Sequence, residues 1–71
     1  MLFPFNDIDN TSVALESIEY IRRGSTQYQI VIQFKDGLDI IVKYDAVDDV
    51  DKDLARLRRK LILFNSIHLN V

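Results

Sequence analysis

A chain of 71 residues has room for one domain, and a domain of this size buries only about 60% of the surface its unfolded chain exposes. Its 48% hydrophobic and 28% charged content is that of a folding globular chain, and the absence of cysteine excludes disulfides and thiolate metal sites as staples for so thin a core. A net charge of −2 offers neither the cationic excess of a non-specific nucleic-acid binder nor the heavy acidity of a nucleic-acid mimic.

The opening "MLFPFND" has no basic stretch ahead of its apolar residues and meets an aspartate at position 7, and the apolar run "LILF" at 61–64 is far too short to span a bilayer. The expectation is a cytoplasmic protein with no membrane partner. Residues 1–12 mix Leu2, Phe3, Phe5 and Ile8 with the turn formers Pro4, Asn6, Asp7, Asp9 and Asn10, and read as an irregular N-terminal arm. Its two phenylalanines are costly to leave in water, which places them across the core edge or against a neighbouring chain.

Antiparallel strands are expected over 13–45. From 13 to 22 the apolar set changes phase, from Val13 and Leu15 to Ile18 and Tyr20 with Ile21 out of step, which calls for a bulge or for a strand that starts near Ser17. "RRGS" at 22–25 then supplies a turn around Gly24.

The segment "YQIVIQFKDGLDIIVKYD" at 28–45 alternates well enough to be a β-hairpin, and its turn fixes its register. A two-residue Asp36-Gly37 turn would set Phe34 opposite Asp39 and Ile30 opposite Lys43, mixing charge into the apolar face. A three-residue loop instead, with Lys35 and Asp36 in a type I turn and Gly37 left-handed as a G1 bulge, pairs Phe34 with Leu38, Ile32 with Ile40, Ile30 with Val42 and Tyr28 with Tyr44. All these apolar residues then share one face. The other face carries Gln33 beside Asp39, Gln29 beside Lys43, and one apolar pair, Val31 and Ile41.

Beyond Tyr44 the period changes. Val47, Val50, Leu54, Leu57, Leu61 and Phe64 recur at alternating spacings of three and four, which predicts an amphipathic α-helix over 46–64 whose stripe covers the hairpin. Asp45 or Asp48 is the expected N-cap. Acids at 48, 49, 51 and 53 precede bases at 56, 58, 59 and 60, the order that the helix dipole favours. "NS" at 65–66 is a plausible stop, leaving 65–71 as a tail or a short edge strand in which Ile67, Leu69 and Val71 alternate with His68 and Asn70. The expected fold class is α+β, a three-stranded antiparallel meander with one C-terminal amphipathic helix packed on one face.

No constellation for catalysis emerges. His68 stands alone near the C-terminus, and general acid–base work needs an orienting partner. The carboxylates of "DAVDDVDKD" lack the glycine and glutamate of a calcium loop and fan around a helix start, and "NDIDN" is explained by Asx-turns. Neither a metal nor a cofactor is implied.

Arg22, Arg23, Arg56, Arg59 and Lys60 are candidates for contacting phosphate, yet Asp53 with Arg56 and Asp48 with Lys52 lie at pairing distance on the helix, and no aromatic residues interleave with the bases. The layout resembles that of many small bacterial and phage proteins, a likeness that carries no functional residue.

Surplus apolar residues make up the remaining signal. Val31 and Ile41 on the outer sheet face, and Ile62, Leu63 and Ile67 off the helix stripe, have no evident cover. A small chain without disulfides gains by sharing a core, so the expected function is that of a non-enzymatic interaction or assembly module. Its expected partner is a second copy of itself or another protein; a nucleic-acid-binding or regulatory role for the basic cluster is the alternative.

Overall fold

The computed structural model describes the backbone of residues 1–69 and the side chains of residues 1–65. Strands β1 (Leu2–Pro4) and β2 (Ser12–Ala14) pair as a small antiparallel sheet, and β3 (Ile18–Arg23), β4 (Gln29–Phe34) and β5 (Asp39–Lys43) form a second antiparallel sheet in that order. Helix α1 (Val47–Leu69) follows and packs on the larger sheet. The fold is α+β, a three-stranded meander with one helix, as the periodicities predict.

The N-terminal segment is not the irregular arm expected of residues 1–12. Phe3 pairs with Val13 across the β1–β2 ladder, and the side chains alternate strictly, with Phe3, Phe5 and Asp7 buried and Leu2, Pro4 and Asn6 exposed. Both phenylalanines sit edge to face, with centroids 4.8 Å apart, inside the chain's own core rather than against a neighbour. Proline at the end of a three-residue edge strand costs little there, which is why "LFP" folds as a strand.

A 3-10 turn at Leu15–Ser17 separates β2 from β3, and the β3–β4 register shifts between Ile18 and Tyr20. Both of the alternatives that the phase change raised are present, since β3 starts at Ile18, next to Ser17, and carries the register shift. The bulge turns Ile21 inward opposite Ile32 and leaves Tyr20 outside opposite Gln33.

In the β4–β5 hairpin Ile30 faces Val42 and Ile32 faces Ile40, and Phe34 and Tyr44 donate backbone hydrogen bonds to Leu38 and Tyr28. Gly37 donates to the Phe34 carbonyl at 2.9 Å with its own φ at +92°, the three-residue turn with a left-handed glycine. The middle of this face is sealed, with Ile30, Ile32 and Val42 essentially inaccessible, while Tyr28 and Leu38 at its two ends are exposed.

Against that face lie Val50, Leu54 and Leu57, all buried, with Leu61 and Phe64 half-buried at the margin. The helix starts at Val47, so the N-cap position falls to Ala46, whose carbonyl accepts from Val50, rather than to Asp45 or Asp48. It also continues past "NS" to Leu69, so the expected stop at 64 and the terminal strand over 65–71 are replaced by helix as far as the description extends. Asparagine and serine each cost well under ~1 kcal/mol inside a helix, and without glycine or proline the ladder propagates at one bond per residue. Asn70 and Val71 lie outside the described residues. No helix among the described residues is long and apolar enough to cross a membrane.

Candidate self-association surface

The most organised polar cluster is built on Asp53, which sequence reasoning assigns to the solvated helix face and which is fully buried. Its carboxylate accepts from the Asn6 backbone N–H, from Asn6 Nδ2 at 3.1 Å, from the Tyr44 hydroxyl at 2.8 Å and from the Arg56 guanidinium at 3.1 Å. Four donors fill the lone-pair sites of one carboxylate. Asp53 thus ties the N-terminal loop, the end of the hairpin and the helix together.

Tyr44 is held protonated by the same contact: burial first, then the hydrogen bond to Asp53 and its negative charge, push the phenol well above its ordinary range. Asp7 fixes the β1–β2 loop by accepting from the Thr11 N–H and hydroxyl, both at 2.6 Å, a bond that spans four residues rather than the two of the expected Asx-turn. Among the described residues no buried side-chain nitrogen or oxygen lacks a partner, and no three His, Cys, Asp or Glu converge to hold a metal ion.

The five basic candidates are not gathered into one surface. Arg22 aligns with Val31 on the outer face of the sheet, whereas Arg23 aligns with Ile30 on the helix side and pairs with Asp51. Arg56 lies 4.6 Å above the Phe3 ring, donates to the Pro4 carbonyl at 2.7 Å and pairs with Asp53, so its charge is used within the fold. Arg59 and Lys60 are exposed further along α1.

The self-association candidates also separate. Val31 is only 5% exposed and is no part of the main core cluster. It sits on the central strand between Arg22 and Ile41 and is buried there, so it does not offer the open contact that the sequence suggested. Ile41 is 53% exposed on the outer sheet face, and Ile62 and Leu63 are exposed on α1, near a shallow recess of about 180 Å³ lined by Met1, Lys60, Leu63 and Phe64. The side chain of Ile67 lies outside the described residues, as does that of His68.

Ile41 belongs to an edge strand whose backbone polarity can be worked out. Because Phe34 bonds Leu38 and Tyr44 bonds Tyr28, the pairs that exchange hydrogen bonds across β4–β5 involve Leu38, Ile40, Val42 and Tyr44. The N–H and C=O groups of Asp39, Ile41 and Lys43 therefore point away from the sheet. The Lys43 carbonyl confirms this direction, since it accepts from Ile8 of the N-terminal loop at 3.4 Å. Beyond that contact, and among the described residues, β5 presents an open sheet edge, with Ile41 in its middle and a charged residue at each end.

No family model matches this chain, and neither a curated protein nor a solved structure is similar enough to count as a match.

Proposed function

We propose that the chain is a small non-enzymatic assembly module that works by associating with a second copy of itself. The observation that carries this reading is Ile41, a branched apolar side chain 53% exposed at the centre of an edge strand with outward-facing backbone groups. Exposed strand edges are templates for pairing with another chain, and such edges are usually short, bulged or covered where association is to be avoided. Among the described residues, a loop reaches only the Lys43 end. A thin core also supports the reading, since association adds burial that a chain of 71 residues cannot supply alone. A phosphate-binding role for the basic residues is less well supported, because Arg23 and Arg56 already have acidic partners within the fold.

Sedimentation equilibrium from low micromolar to roughly 300 μM tests the proposal, because an interface worth only about 6 kcal/mol is mostly formed at the upper end. A mass rising from 8.3 kDa toward twice that value is expected. A mass that stays at the monomer value throughout overturns it.

A further inference from the structure

Resting on that reading, we infer that two copies join edge to edge through β5, antiparallel and with Ile41 on the two-fold axis, to make one continuous six-stranded sheet. The strand reads Asp39, Ile40, Ile41, Val42, Lys43, and this order is complementary to itself when reversed. With Ile41 opposite Ile41, Asp39 of each copy faces Lys43 of the other, and Ile40 faces Val42. Opposite charges meet at both ends and apolar residues meet between them.

Shifting the register by two residues loses this match. Setting Ile41 opposite Lys43 brings Asp39 against Asp45, two like charges, and setting Ile41 opposite Asp39 leaves Lys43 facing Gly37. Only the register centred on Ile41 pairs both charges.

The backbone agrees with the side chains. Ile41 points its N–H and C=O outward, so two copies of it exchange both hydrogen bonds at the axis. At each end the Lys43 carbonyl is already engaged by Ile8, so the ladder is short and the ends are joined through side chains. Among the described residues neither Asp39 nor Lys43 has an ion-pair partner within its own chain, and both are exposed. Two further exposed residues gain company, because Leu38, 67% exposed, stands next to Asp39 in one copy and Ile8, 57% exposed, stands against Lys43 in the other. Antiparallel pairing brings those two ends together twice, which adds apolar burial to a short ladder.

Charge reversal tests the register, and both target positions are exposed enough that the fold survives, which circular dichroism verifies. Asp39→Lys and Lys43→Asp each place two like-charged pairs across the axis and are expected to weaken self-association by about tenfold or more. A one-to-one mixture of the two variants pairs lysine with aspartate at every end, so it is expected to form a heterodimer. The doubly reversed D39K/K43D chain is expected to dimerise like the parent.

If the parent dimerises and neither single reversal weakens it, the β5 register is wrong while the assembly reading stands. If Leu63→Glu alone dissociates the dimer, the contact is the end of α1 and the register again fails. A parent that remains monomeric at roughly 300 μM overturns both.

Discussion

The Tyr44 hydroxyl donates to the Asp53 carboxylate at 2.8 Å with both side chains buried, and this bond joins the end of the hairpin to the helix that covers it. Removing it in Tyr44→Phe leaves Asp53 with its remaining donors, and is expected to cost about 1–2 kcal/mol. The phenol is held protonated in the fold, with its pKa raised above that of the unfolded chain. A raised folded pKa gives stability that is complete below the unfolded value of about 10 and is lost as pH climbs above it. The stability gap between parent and Tyr44→Phe, from urea melts, should therefore be constant up to about pH 9 and shrink beyond about pH 10. A gap that widens with pH contradicts the assignment.

The two glycines are expected to resist substitution for different reasons. Gly37 has open space around a Cβ but a φ of +92°, so Gly37→Ala should cost about 1 kcal/mol from backbone strain alone. At Gly24 an added Cβ would lie 2.5 Å from the Gln29 Cβ, so Gly24→Ala must move the β3–β4 turn. A cost of about 1–3 kcal/mol is expected there. Gly37→Asn separates the cases, since asparagine tolerates the left-handed region and should recover part of the loss at 37.

Leu57 has no exposed surface and lies on the stripe that α1 turns toward the sheet. Leu57→Ala is expected to cost about 2–5 kcal/mol, a large part of what a domain of this size holds. Equilibrium unfolding in urea should show a midpoint far below the parent's.

Arg56 and Arg59 provide a contrast between a cation used by the fold and one that is not. Arg56→Gln removes the contact over Phe3 and the bonds to Pro4 and Asp53, and should destabilise by roughly 1–3 kcal/mol. Arg59→Gln should change stability by less than about 0.5 kcal/mol. Equal effects in thermal melts would mean that the Arg56 contacts contribute little.

The hairpin was legible because "KDG" permits one turn that keeps the charges off the apolar face, and the helix because its stripe holds a single period over the 46–64 stretch. Asp53 was not. It lies three residues after Val50 and four before Leu57, on the inward face, but a carboxylate beside other acids reads as solvated unless its donors are known. Two of those donors belong to Asn6, 47 positions away, and no local spacing reveals them. Phe3 and Phe5 did alternate with Leu2, Pro4 and Asn6, a period-two signal obscured by the proline. Val31 lies beside Ile41 on the outer face as the alternation predicts, but its burial is not legible there, because a central strand has a neighbouring strand on each side. The outward direction of the Ile41 backbone follows from the three-residue turn and is legible in the sequence.

Amide hydrogen exchange at Ile41, followed by NMR at low and high protein concentration, tests the edge-to-edge account most directly. Val42 serves as the internal reference, because its N–H is directed at Ile30 of the same chain and is protected at every concentration. The Ile41 N–H faces away from the sheet, so it exchanges quickly in the monomer, and on pairing it donates to Ile41 of the second copy. The account predicts that Ile41 exchange slows progressively toward roughly 300 μM while Val42 is unchanged. Fast Ile41 exchange that is independent of concentration over the same range contradicts it.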